Sequence, residues 1–167
     1  MKGLTQISLS FLFIDATINH MDKTVLCYIE QDNKYLLIYR NKKKNDLNEG
    51  KYLGIGGHIE PGESKEEAVV REVKEETGLT LLSFKYRGLV HFKDDDYQEN
   101  MYLFTSHEFE GTLKECDEGE LHWIDKDKVL DLPCWEGDKY FLSELIKDNP
   151  PFEMSLIYKN KKLAEYY

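Results

Sequence analysis

The chain has 167 residues, 41% of them hydrophobic and 13% aromatic, which is enough for one folded domain with a substantial core and too apolar for general disorder. Its formal net charge of −10 disfavours a grip on polymeric nucleic acid, which needs clustered lysine and arginine. Three scattered cysteines, Cys27, Cys116 and Cys134, exclude a disulfide framework and suit a reducing cytoplasm, and no apolar run reaches the roughly eighteen residues of a membrane span.

Residues 1–20 include an apolar ISLSFLFI, but no small-residue cleavage site follows, which argues against a signal peptide. Met21-Asp22-Lys23-Thr24 then reads as a fresh start, so 1–20 is expected to be an N-terminal extension and 21–167 the domain. TVLCYIEQ (24–31) and KYLLIYR (34–40) are rich in β-branched, aromatic and aliphatic side chains. They flank the turn pair Asp32-Asn33, the pattern of a β-hairpin. RNKKKNDLNEGK (40–51) is an exposed basic loop, and KYLGIGG (51–57) a short strand running into glycines.

A helix is expected to begin at Ser64, which has capping-box spacing to Glu67, and to stop at Gly78. Strands follow over 81–92 and 99–108, with three aspartates at 94–96 between them and a further turn at Gly111. LHWI (121–124) is another strand, 126–130 a helical turn and 138–147 a second helix. A closing hairpin joins 152–158 to 163–167 around Asn160. The result is one mixed α+β domain in which strands outnumber helices.

The charge on the first helix needs a cause. At about 100° per residue, Val69, Val70, Val73 and Thr77 share a face suited to packing on a sheet, while Glu72, Glu75 and Glu76 cluster within roughly 100° of one another elsewhere. Arg71, four residues before Glu75, offsets part of the repulsion, and Glu63 can fold back toward the cluster. A solvated acidic face is the ordinary explanation for such a stripe. Clustered carboxylates also suit a hard divalent cation such as Mg²⁺, and Gly56-Gly57 just upstream lets backbone approach the same spot.

Gly57, five residues, Glu63, seven residues, then Arg71-Glu72-Val73-Lys74-Glu75-Glu76-Thr77-Gly78-Leu79 resembles the Nudix hydrolase signature GX5EX7REUXEEXGU, with U aliphatic, at every specified position. The resemblance implies the Nudix fold, an α/β/α sandwich with a mixed sheet in which the box forms loop–helix–loop. It also implies hydrolysis of a diphosphate linkage with Mg²⁺ or Mn²⁺. Carried onto this chain, Glu72, Glu75 and Glu76 are the metal ligands, assisted by the Gly56 carbonyl. Glu72 is also the candidate general base, Arg71 orients the glutamates and Glu63 braces the loop.

Three outer features bear on the substrate. DEGELHWI (117–124) resembles the segment of MutT-type enzymes that carries a late acidic metal ligand, with Glu118 the best match and Glu120 its rival. LPCWEGDKYFL (132–142) resembles the Trp-x-x-Asp segment of the oxidised-purine nucleoside triphosphatases, which makes Trp135 and Asp138 base-binding candidates. Trp135 as core and Asp138 as a helix cap are the plainer explanations. Lys43, in the run Lys42-Lys43-Lys44, is a triphosphate-binding candidate against the background of a solvated loop; Thr24, Gly56 and Gly57 complete the substrate-binding set. Leu53 stands where that resemblance expects an asparagine, and Gly137 where it expects a second aspartate, so two polar base readers are missing. The expected activity is release of monophosphate and pyrophosphate from purine triphosphates such as 8-oxo-dGTP, by a monomer or homodimer. Another nucleoside diphosphate-linked substrate and a silent Nudix-fold sensor are the alternatives. A chain starting at Met21 is expected to keep its folding and activity, measured as an unchanged melting temperature and turnover.

Overall fold

The computed structural model describes residues 21–167; the expected extension, 1–20, lies outside the described residues. Strand β1 (Met21–Gln31) turns at Asp32 and Asn33, at φ 51° and 60°, into β2 (Lys34–Tyr39). Positive φ at both central positions is the tight hairpin turn whose twist matches the strands, and Asp and Asn tolerate it well among non-glycines. KYLGIGG differs from its expected form. It divides into β3 (Tyr52–Leu53) and β4 (Ile55–His58), and both terminal glycines lie inside β4 rather than ending it. The cause is closeness: a Cβ on Gly56 would stand 1.7 Å from the Val25 carbonyl oxygen, so only glycine lets β4 lie here against β1.

Helix α1 (Lys65–Thr77) starts and stops as its sequence indicates. Ser64 Oγ accepts from Glu67 N–H at 3.1 Å, Glu67 returns the bond to Ser64 N–H at 2.9 Å, and Gly78 closes the helix at φ 81°. Ala68, Val69, Val73 and Thr77 are fully buried, whereas Val70 is only partly so. Next come β5 (Thr80–Asp94), β6 (Tyr97–Glu110) and β7 (Glu120–Asp125), then a 3-10 turn over Val129–Asp131. Helix α2 (Asp138–Ile146) and the hairpin of β8 (Phe152–Lys159) and β9 (Lys162–Tyr166) complete the chain. β5 and β6 are longer than expected because their pairing runs on to Asp94↔Tyr97 at the turn and to Thr80↔Glu110 at the far end.

All strands join one sheet of order β3-β2-β1-β6-β5-β8-β9, with β4 on β1 and β7 on β2. It is mixed: β1 runs parallel to β6 and β5 parallel to β8, while the other pairs are antiparallel. Along one edge of β1, β4 pairs residues 24–27 and β2 pairs 29–31, so this edge is shared between two strands that separate around it. Period-two alternation builds two cores. Val25, Cys27 and Ile29 face α1 with its Val69 and Val73, while Tyr28 faces the opposite way, toward Phe141, Leu142 and Leu145 of α2. The expected α/β/α sandwich follows from that alternation. No helix among the described residues is long and apolar enough to cross a membrane. Replacing Ser64 by Ala removes half of the capping box and is expected to cost about 1 kcal/mol, seen as a fall of about 2–4 °C in melting temperature.

Candidate active site

The box helix is pinned to the β4 edge by one guanidinium. Arg71 donates from Nε to Glu63 at 2.6 Å, from Nη1 to Glu72 at 2.8 Å and Glu75 at 3.1 Å, and from Nη2 to the His58 carbonyl at 3.0 Å. Glu63 in turn accepts the Glu60 N–H at 2.9 Å, which closes the loop ahead of the helix. A Cβ on Gly57 would lie 2.6 Å from Glu72 Oε1, so Gly57 makes room for that carboxylate.

Between α1, β4, the 40–51 loop and α2 lies a cavity of about 390 Å³. One group of its lining residues is charged: Arg40, Lys43, Glu72, Glu76 and Glu118. Glu76 is 8% exposed, and its Oε2 accepts the Gly56 N–H at 3.2 Å. Glu118 hydrogen-bonds to Glu76 and receives Arg40 Nη1 at 2.5 Å together with the Lys43 ammonium. Burial, with Glu118 and Glu72 close by, pushes the Glu76 carboxyl well above the usual carboxylate range. Glu118 moves down because Lys43, Glu76 and Arg40 stabilise its charge against its own burial. Of this pair, Glu76 is the carboxyl pushed toward its protonated form and Glu118 the one held toward its charged form. Glu72 is also raised, by burial against the opposing pull of Arg71.

The trio read from the helical wheel is divided. Glu72 and Glu76 line the cavity, while Glu75 has a 59% exposed side chain tied to Arg71. At about 100° per residue Glu76 lies about 40° to one side of Glu72 and Glu75 about 60° to the other, and here Glu75 turns to Arg71 instead of the cavity. Glu118 fills the third place from another segment; its rival Glu120 points to solvent and pairs with His122 at 3.2 Å. Among the described residues, no group of three His, Cys, Asp or Glu side chains is gathered tightly enough to hold an ion by itself. The donor chemistry nonetheless fits a hard cation that keeps waters: Glu72, Glu76 and Glu118 are oxygen donors around one cavity, and the upward push on Glu76 is the kind a nearby cation relieves. The hydrogen bond from Ile59 N–H to Lys23 O makes that pair a bonded step of the β1–β4 ladder, and alternation turns the Gly56 backbone away from β1 toward these acids.

The second group of lining residues includes Thr24, Leu53, Glu99, Trp135 and Asp138. Trp135 is 6% exposed, belongs to the α2-side core, donates from Nε1 to Asn48 Oδ1 at 2.8 Å and carries the Lys51 ammonium 4.7 Å from its ring centre. It is thus both a core residue and a wall of the cavity. Asp138 does not cap α2: Gly137 holds the cap position and no side chain bonds there. Its carboxyl is buried, accepts the Trp135 N–H and is pushed up to about 8 by burial. Sequence reasoning missed Arg40, Asn48 and Glu99. The signal for Glu99 was present, since it is in phase with the inward Met101 and Leu103 of the same strand.

A NUDIX domain model matches residues 20–145. The chain belongs to the Nudix family. An uncharacterised Nudix hydrolase from Bacillus subtilis, YvcI, is 29% identical over 134 residues, covering 77% of this chain and 81% of that one. An oxidised purine nucleoside triphosphate hydrolase from Danio rerio is 33% identical over 115 residues, 68% of this chain and 72% of its own. The MutT protein of Bacillus halodurans superposes with a TM-score of 0.78 at 28% identity, covering 88% of this chain and 97% of that chain. Relatives named for CTP and ADP-ribose hydrolysis match as well. The protein is a MutT-type Nudix hydrolase, an enzyme acting on phosphoric anhydrides.

A proton and a cation compete for Glu76. Because its native pKa lies above the unfolded value of 4.5, the metal-free fold is favoured below that value and loses this contribution as pH rises through the native pKa. Mn²⁺ affinity is therefore expected to tighten, by up to about tenfold per pH unit, across the neutral range. Calorimetry at pH 6, 7 and 8 checks this, and Glu76→Gln is expected to abolish the pH dependence.

Proposed function

We propose that the enzyme hydrolyses purine nucleoside triphosphates, 8-oxo-dGTP foremost, to the monophosphate and pyrophosphate, and so clears oxidised nucleotides from the pool. The observation that carries this reading is the cavity itself, which puts buried carboxylates and two cations beside an apolar slot walled by Trp135 and holding a buried Asp138. Polyphosphate suits the first group and a flat base the second.

Glu72, Glu76, Glu118 and the Gly56 carbonyl are the proposed donors for a divalent ion, Mg²⁺ or Mn²⁺, and Glu75 would join them by exchanging Arg71 for the ion. An ion held there would supply positive charge to the phosphates and make water at the site more acidic. Glu72 takes the proton of the attacking water, and Arg71 fixes the orientation of its carboxylate. Gly57 keeps the approach open. Lys43 and Arg40, now turned toward Glu118, supply positive charge to the phosphates. Trp135 forms the wall against which the base rests, Asp138 accepts from its N–H edge, and Thr24 positions the neighbouring acid. Free thiols at Cys27, Cys116 and Cys134 support a cytoplasmic setting.

Replacing Glu72 by Gln is expected to lower kcat about 10²–10⁴-fold with little change in KM, measured as pyrophosphate release with saturating Mg²⁺. Side-by-side rates on 8-oxo-dGTP, GTP, CTP and ADP-ribose test the substrate; equal or absent turnover of the oxidised nucleotide rejects it.

A further inference from the structure

Glu99 belongs to no motif of the chain, yet it lines the cavity from β6. A strand position in phase with Met101 and Leu103 normally carries an apolar side chain, because it faces the α2-side core. Here it carries an acid. Its Oε1 accepts from the Thr24 hydroxyl at 2.5 Å and its Oε2 from the Tyr97 hydroxyl at 3.2 Å. Both donors are neutral hydroxyls that fix the carboxyl group in place, and they oppose the burial that raises it.

Asp138 is the second acid of the slot. It is 5% exposed and takes a backbone N–H from Trp135, and Glu99 is near enough to act on its ionisation. Burial raises both carboxyls, yet even with a proton on one of them the pair offers more acceptor sites than the three donors that hold it occupy. The walls around them, Leu53, Phe92, Met101 and Phe141, offer side chains with no hydrogen-bond donor. Buried polar groups left this way favour a ligand whose edge brings several N–H groups. Among the bases, guanine presents N1–H and a 2-amino group, and 8-oxoguanine adds N7–H. Adenine and cytosine each present one amino group.

We propose that Glu99 is a second base-reading residue: held by Thr24 and Tyr97, its carboxylate accepts from an N–H of a guanine-class base alongside Asp138, and the slot thereby selects guanine nucleotides, the 8-oxo form above all. The inference rests on the nucleoside triphosphate reading above.

The test compares kcat/KM on dGTP, 8-oxo-dGTP and dATP for the wild type, Glu99→Gln and Thr24→Val. Glu99→Gln is expected to lower the guanine values about 10- to 100-fold, the cost of losing a hydrogen bond to a charged group, and to leave dATP within about threefold. Thr24→Val is expected to shift the same ratio in the same direction and by less, and it serves as the test if Glu99→Gln does not fold. An unchanged guanine-to-adenine ratio overturns the assignment, whether all three rates hold or all fall together. A wild type that still prefers guanine nucleotides then keeps its function and loses only this residue's role. A wild type that hydrolyses none of the three removes the nucleotide reading and the assignment with it.

Discussion

Everything in the site depends on how closely α1 approaches the edge of the sheet at Gly56 and Gly57. A side chain on the first would collide with the backbone of β1, and one on the second with the Glu72 carboxylate. Bare backbone at these two places lets the helix lie where Glu72 and Glu76 reach the cavity and lets a strand N–H meet a carboxylate. Arg71 then holds the approach in place by satisfying acids on the loop and on the helix at once. The arrangement is electrostatically costly, because it buries Glu76 beside two other acids. A domain of this size tolerates that because two large apolar cores, one on each face of the sheet, supply the stability.

Much of this was legible in the sequence where the signals were local. The hairpin at Asp32-Asn33, the capped helix from Ser64 and the stop at Gly78 each rest on a few neighbouring residues, and each stands where expected. The strand patterns were also sound, since alternation survives any change of neighbour. Strand pairing was not legible: nothing in TVLCYIEQ indicates that β1 shares one edge between β4 and β2 while lying parallel to β6 on the other. The helical wheel likewise grouped three glutamates by angle alone, and an angle does not say where the groove wall ends. Glu75 fell outside it for that reason.

The acids that complete the cavity arrive from far along the chain. Glu118 reaches Glu76 from the segment before β7, and Glu99 meets Thr24 across 75 residues. Contacts of such separation leave no periodic trace, although an acid in an inward strand phase is a mark that can be sought. The 40–51 loop is similar. Its charge suggested solvent, yet Arg40 is largely enclosed, bridging Asp46 at 2.7 Å and Glu118 at 2.5 Å.

The parallel register of β1 with β6 also constrains how the chain matures. Val25 cannot find Tyr102 until synthesis has passed β6, so the first hairpin must wait on the ribosome with its central edge bare. The box helix has its own caps and can coil early, but the surface that receives it is finished only when β6 arrives. Assembly of the catalytic end is therefore a late event in biosynthesis, and the interval before it is when a nascent chain of this design most needs protection from aggregation.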